Sequence, residues 1–303
     1  MDLDVRHLQL LRDLAERGSV TAVAEATHRT PSAVSQQLRT AQREFGTPLV
    51  EPVGRGIRLT EAGRVLARGA VGVATAIEAT RAEWDAFRGA PSGRVTMAGL
   101  ASAAEYLVPA AVRDLAERSI QVTFVDEDVA EADYAALTVD HDIVIAHSLA
   151  ERPPIGEEQL RVESLIREPL DIAVPATHPL AGQDRVTAEQ VCDQDWIGVP
   201  PGFPFESVLH AIAAHTGTGT RFTQRGIRDN RLVEAMVAAG LGLAVLPRFT
   251  TRPRSDVVLL PLAEIPTARY IFALLRPDRA ERLAVRHALD ALVRSARTVE
   301  MSH

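Results

Sequence analysis

The chain has 303 residues, enough for two or three domains with substantial cores. Its single cysteine, Cys192, excludes an intramolecular disulfide framework, and no stretch is long and apolar enough to span a bilayer. The formal net charge of -7 argues against a generally basic nucleic-acid binder, and the absence of a leader pattern gives the cytoplasm as the expected location.

The first predicted helix runs from Leu3 to Arg17, with Val5, Leu8, Leu11, Leu14 and Ala15 on one side. Gly18 and Ser19 then precede a short alanine-rich helix, Val20 to Ala26, and Thr27, His28 and Arg29 leave only a tight turn before the next. Thr30 is suited to cap a helix that starts at Pro31, where a missing amide proton costs nothing. At about 100° per residue, Val34, Leu38, Ala41 and Phe45 fall in one arc, and Ser32, Ser35, Gln36, Arg39 and Arg43 in the opposite one. Hydroxyls, amides and guanidiniums are the groups that bond phosphate oxygens and major-groove base edges, with Gln suited to adenine and Arg to guanine. This is the helix-turn-helix pattern, whose second helix enters the groove.

Gly46 ends that helix. Two short strands follow, Leu49 to Val53 and Ile57 to Leu59, joined by Gly54, Arg55 and Gly56, so the hairpin reads as a wing with an arginine at its tip. From Arg17 to Arg68 eight arginines stand against four glutamates, so the N-terminal part is locally basic. The DNA-binding candidates are Ser19, Thr30, Pro31, Ser32, Ser35, Gln36, Arg39, Arg43, Arg55 and Arg58.

Thr60 caps a further helix that meets no breaker until about Arg88, with Glu61 favourably placed in its first turn. Leu66, Gly69, Val73, Ala76, Thr80, Trp84 and Phe87 recur in steps of three and four, a coiled-coil-like seam with small central residues. The simplest partner for that seam is a second copy, with Leu66, Val73, Ala76, Trp84 and Phe87 as dimerisation candidates. The alternative is packing on the chain's own C-terminal part. Gly89 to Gly93 carries the signals of a hinge.

Beyond the hinge, short strands alternate with helices in the rhythm of a parallel sheet with crossovers: strand Val95 to Gly99, helix Ala103 to Glu117, strand Gln121 to Asp126, a short helix near Glu131 to Leu137, strand Asp142 to Ala146. Extended segments follow at Leu160 to Ile166 and Leu170 to Val174. A second run has helices Thr187 to Cys192, Phe205 to His215 and Asn230 to Ala239 among strands Trp196 to Val199, Arg221 to Ile227 and Leu243 to Leu246. Strands Val257 to Leu262 and Ala268 to Leu274 lead to a last helix, Asp278 to Thr298, and residues 299–303 read as a frayed tail.

In parallel sheets, ligands sit beyond the carboxyl ends of strands, where helix N-termini offer free amides to an anion. Those ends give Leu100, Ala101, Ser102, His147, Ser148, Gly202, Phe203, Phe205 and Arg228 as the ligand-binding candidates. Ser102 either donates to a carboxylate or caps its own helix. Phe203 and Phe205 offer an aromatic surface or close a core, and Asp229 reads as a cap for the helix at Asn230. His141, His147, His178, His210 and His215 lack metal-ligand spacing, and no phosphate loop or nucleophile elbow is present, so neither metal, cofactor nor catalytic residue is expected.

Thr30 to Leu38, followed by Arg55-Gly-Ile-Arg-Leu-Thr-Glu-Ala-Gly63, resembles the recognition helix and wing of the LysR-type transcriptional regulators. Pro169-Leu-Asp171 running to His178-Pro-Leu-Ala181, Leu232 to Gly242, and Leu246-Pro-Arg248 are similar to further signatures of that family. Ala41, Phe45 and Val50 depart from its usual residues, which bears on packing under the wing and removes no polar DNA contact. The resemblance implies a winged helix-turn-helix domain (1–60), a linker and dimerisation helix with hinge (61–90), and an α/β effector domain (91–298). The last would comprise two Rossmann-like subdomains of periplasmic-binding-protein type, 94–165 with 269–298, and 166–268, crossed near Ser164 to Pro169 and Glu264 to Ala268.

The implied partners are double-stranded DNA with a pseudo-palindromic operator, a small-molecule effector between the subdomains, and further copies of the chain as a dimer or tetramer. RNA polymerase is among the partners that the resemblance allows, and no membrane contact or enzymatic activity is implied. The competing reading is a two-lobed small-molecule-binding protein or an enzyme with an N-terminal oligomerisation module.

Overall fold

Residues 3–54, 56–89, 93–152, 160–251, 255–265 and 267–302 are described by a computed structural model of the chain. The first helix, α1 (Val5–Arg17), begins where Asp4 accepts from the Arg6 amide and stops at Gly18, whose left-handed φ of 69° suits glycine. The Arg6 side chain bonds the exposed Asp4 carboxylate and holds its pKa down at about 2. Ser19 caps α2 (Val20–Ala26), and Thr30 caps α3 (Pro31–Phe45), with Pro31 at the first helical position and Gly46 beyond the end. The wing pairs β1 (Val50–Val53) antiparallel with β2 (Gly56–Leu59), and Thr60 caps the 27-residue α4 (Glu61–Phe87).

One apolar cluster joins these elements: Leu10, Leu11 and Leu14 of α1, Val23 and Ala24 of α2, Val34, Leu38 and Ala41 of α3, Leu49 and Leu59 from the wing, and Ala67 of α4. The tightest approach around this cluster is at Gly63, where a Cβ would lie 2.2 Å from the Leu49 carbonyl oxygen. Only glycine lets the first turn of α4 close on the wing.

Downstream come β3 (Gly93–Gly99), α5 (Ala101–Glu117), β4 (Ile120–Asp126), α6 (Tyr134–Leu137), β5 (Ile143–Ser148), β6 (Arg161–Pro175), α7 (Ala188–Val191) and β7 (Asp195–Gly198). The chain continues through α8 (Pro204–Thr216), β8 (Arg221–Arg225), α9 (Asn230–Ala238), β9 (Ala244–Pro247), β10 (Val257–Leu260), β11 (Ala268–Leu275), α10 (Pro277–Glu281) and α11 (Leu283–Ser302). The main sheet has the order β10-β6-β11-β5-β3-β4, with β9 also paired to β6. Two units result: Met1–Ala90 with Pro277–Leu283, and Pro91–Arg276 with Ala284–His303.

Within the second unit two lobes share β6. Its residues 161–169 pair with β11, beside β5, β3 and β4; its residues 170–175 lie between β9 and β10. β7 pairs parallel with β8, and backbone bonds between Ile197 and Leu243 and between Leu243 and Asp195 tie them toward β9. Trp196, Phe205, Leu209 and Ile212 pack there with Leu170, Ile172 and Val174.

The parallel rhythm holds for β3, β4 and β5, and the sheet as a whole is mixed, since β6 pairs antiparallel with β9, β10 and β11, and β11 antiparallel with β5. Three expectations are corrected. The segments expected at Leu160 to Ile166 and Leu170 to Val174 are one strand, β6. Arg167 and Glu168 resemble a loop in sequence, but Glu168 is fully buried against Arg269 of the neighbouring strand. The last helix is two, α10 and α11, and α10 groups with the first unit, where Arg12 Nη1 meets Asp278 Oδ2 at 2.9 Å. The expected tail at 299–303 is helical through Ser302. Residues 90–92 of the hinge, Arg55 at the wing tip and residue 266 of the second crossover lie outside the described residues.

Candidate functional site

Burial of Val34, Leu38 and Ala41 fixes the rotation of α3, so the opposite side faces outward. Ser32, Gln36, Arg39 and Arg43 are exposed and Ser35 is half-buried. Thr30 and Pro31 stand exposed at the start of the helix, and Ser19 is committed to capping α2. The polar side chains prop one another. Arg39 Nη2 donates to Gln36 Oε1 at 2.7 Å, Arg43 Nη2 to Thr40 Oγ1 at 3.2 Å, and the Ser32 and Thr30 hydroxyls lie 3.0 Å apart. Gln37, by contrast, is used internally, accepting from Arg29 and donating to the Arg6 carbonyl. A groove lined by Gln36, Arg39, Gln42 and Arg43 runs beside the helix toward Pro48. On the wing, Arg58 reaches Glu51 at 2.6 Å across the hairpin, so part of its charge is spent there.

The seam foreseen on α4 divides. Gly63, Ala67, Ala70 and Ala82 face inward, and Leu66 packs partly against the N-terminal core. Val73 is half-buried and Ala76 exposed. Trp84 and Phe87 are 59% and 82% exposed and stack with ring centroids 5.7 Å apart. Two aromatic rings paired in water form an apolar face at the end of the helix.

Between the lobes of the second unit, the carboxyl ends of β3 and β5 meet the loop before α8 and the start of α9. A recess there is lined by Leu100, Ser102, Asp128, His147, Phe203, Phe205, Arg228, Asn230 and Arg269, with Val199 and Pro204. It adjoins a groove of about 620 Å³ reached past Ala101, Ser102, Asp128 and Arg228. Seven of the nine ligand-binding candidates thus converge. The other two do not line it: Ser148 is buried and accepts from the Ala150 amide, and the Gly202 amide donates to Glu206.

The open choices now have answers. Leu100, not Ser102, stands at the cap position of α5 and offers no side-chain cap; Ser102 Oγ instead accepts from Arg269 Nη1 at 2.9 Å. Phe205 is buried in the lobe core and also forms one wall of the recess, while Asp229 caps α9 through the Arg231 and Leu232 amides.

Arg269 and Asp128 went unnoticed in the sequence. Arg269 is fully buried; its guanidinium lies 2.7 Å from Glu168, which also accepts from Tyr106 and from the Phe249 amide. Burial works against the Arg269 charge, and Glu168 together with Tyr106 and Tyr134 more than offsets it, so the pKa is raised. His147 is buried edge-on between Tyr134 and Phe205, and burial, helped by the Arg269 charge, pushes its pKa well below the usual value. Neither of its ring nitrogens has a hydrogen-bond partner among the described residues. Asp128 accepts from Tyr134, and burial raises its pKa against the pull of Tyr134, Arg269 and Arg228. Their signal was a charged residue inside a strand and an acid just past a strand end.

No group of three or more His, Cys, Asp or Glu able to hold a metal occurs among the described residues. Among them no helix is long and apolar enough to cross a membrane.

Comparison with known proteins addresses both units. Residues 5–64 match the bacterial regulatory helix-turn-helix protein model of the lysR family, and residues 88–297 match the LysR substrate binding domain. The RuBisCO operon transcriptional regulator of Allochromatium vinosum is 25% identical over 287 residues, covering 94% of this chain and 93% of its own. A full-length OxyR from Pseudomonas aeruginosa, solved with one cysteine replaced by aspartate, has a similar fold, with a TM-score of 0.69 at 18% identity over 98% of this chain and 95% of that one. Full-length CbnR, solved in complex with its target DNA, aligns with a TM-score of 0.52 at 17% identity over 97% and 100% of the two chains. With family models spanning both the reading head and the two-lobed domain, this chain belongs to the LysR family of transcriptional regulators, proteins that bind DNA and answer to an effector.

Proposed function

We propose that Ser32, Ser35, Gln36, Arg39 and Arg43 of α3 enter the major groove, with the wing arginines Arg55 and Arg58 on the flanking phosphates. The observation that carries this reading is the outward polar face of α3, whose opposite face is locked into the N-terminal core by Val34, Leu38 and Ala41. Two copies joined through the exposed part of α4, including the stacked Trp84 and Phe87 at its end, present two such helices to a pseudo-palindromic operator. Pairs of dimers then form a tetramer, and a contact to RNA polymerase follows when the operator overlaps a promoter. The work is done in the cytoplasm.

The effector sits between the lobes at Ser102, Asp128, His147, Phe203 and Arg228. It shifts the population between two lobe arrangements by binding one of them more tightly. Footprinting on the DNA that flanks the protein's own gene, repeated with candidate metabolites, tests all of this together. A protected site that is absent from a scrambled duplex is the expected result; equal retention of both duplexes at low salt overturns the DNA-reading role.

A further inference from the structure

The recess and the groove it adjoins present two electrical poles, and resting on the effector-site reading above, they specify what kind of molecule fits. One pole is the start of α5. The amides of Ala101, Ser102 and Ala103 are the helix's orphan donors, Leu100 provides no cap for them, and the positive end of the helix dipole lies with them. Immediately behind stand Arg269, bonded to Ser102 Oγ, and His147. His147 is 5% exposed, and its two ring nitrogens are without partners among the described residues although the side chain lines the recess. A buried imidazole that no protein group engages offers its ring nitrogens to whatever enters the recess, since an unmet polar group away from water is costly.

The second pole is acidic. Glu105, Asp126, Asp128, Asp229 and Glu234 line the groove. Arg228 and Arg231 stand among them, with Arg231 engaged by Glu105 and Glu234. Deeper in, Glu168 neutralises Arg269, so no net positive charge awaits an anion. A multiply charged anion would enter a groove with more carboxylates than guanidiniums in its lining. A molecule carrying its own opposite charges adds none to the balance.

We propose that the effector is a zwitterionic α-amino acid. Its carboxylate is received by the free α5 amides, Ser102 and His147. Its ammonium is received by Asp128, and its side chain lies along Ile227 and Leu232 in the groove. Leu232 is 51% exposed, an apolar surface otherwise left to water. The groove, about 620 Å³, lies within the range of small-ligand sites, about 300–1,000 Å³, and the recess beside His147, about 20 Å³, has room for one carboxylate oxygen.

The test is calorimetric titration and thermal-shift measurement on the full-length protein, with each proteinogenic L-amino acid in turn at millimolar concentration. Any amino acid that binds is then compared with its des-amino acid and its decarboxylated amine. The expected result is saturable binding of at least one amino acid, and loss of about tenfold or more in affinity for both analogues, as removing a hydrogen bond to a charged group implies. In Asp128→Asn, which can still accept from Tyr134, the amino acid weakens to the level of its des-amino analogue, and the analogue itself is unaffected.

Silence toward every amino acid overturns the proposal, as does equal binding of amino acid and des-amino acid by the wild type. A ligand of another class that is lost in Ser102→Trp with operator binding intact overturns only the zwitterion. A ligand whose binding survives Ser102→Trp removes the effector site from this groove. The analogue comparison needs no variant, so a misfolded Asp128→Asn leaves the outcome decisive.

Discussion

Gln36 is held by Arg39 on the exposed side of α3, and the two together form a donor-acceptor face of the kind that distinguishes base pairs. Gln36→Ala is expected to cost about 1–3 kcal/mol on the operator and little on random DNA, measured by competitive gel retardation against both duplexes. Glu168 answers to a different physics. Its removal as Glu168→Gln leaves the Arg269 charge buried without its carboxylate, and a loss of about 3–5 kcal/mol in urea denaturation is expected. His147 gives a pH signature. Its folded pKa lies below that of the unfolded chain, so acidification loads protons on the unfolded state first. Its contribution is intact above about pH 6.5 and is lost as pH falls from there, by up to about 1.4 kcal/mol per pH unit. His147→Phe should flatten that part of the stability-pH curve. The residues facing solvent were legible in the sequence because periodicity alone places them. Arg269 was not, since its meaning depends on Glu168, whose strand partner lies 101 positions away.

At the scale of elements, local rules were sufficient wherever a cap and an apolar arc coincide. Thr30 with Pro31, and Thr60 with Glu61, start helices at the residues that their chemistry selects. They were insufficient where pairing partners are distant: β6 reads as two segments because Arg167, Glu168 and Pro169 look like a break. The long helix α4 shows both outcomes. Its length was evident, but the side it buries was not, because alanines and glycine pack inward while larger side chains stay partly exposed. Gly63→Ala tests the closeness of that packing. The added methyl cannot fit against the Leu49 carbonyl without moving the wing, and a loss of about 1–3 kcal/mol is expected in thermal or urea unfolding, with weaker DNA retention.

In the whole molecule, the aromatic pair at the end of α4 bears on the number of copies. If the stacked Trp84 and Phe87 lie at the meeting of two copies, replacing both with glutamate puts like charges where rings touched. Sedimentation should then show a shift toward monomer at micromolar concentration, and the affinity for a two-half-site operator should fall toward that of a single half-site. An unchanged sedimentation coefficient would move the contact elsewhere on the chain.

The continuity of β6 also constrains how such a domain can be inherited. Residues 161–169 are hydrogen-bonded into one lobe and residues 170–175 into the other, with no spare linker between. Neither lobe is therefore a module that recombination could lift out and reinsert. A gene exchange that replaced one of them would tear a strand down its middle.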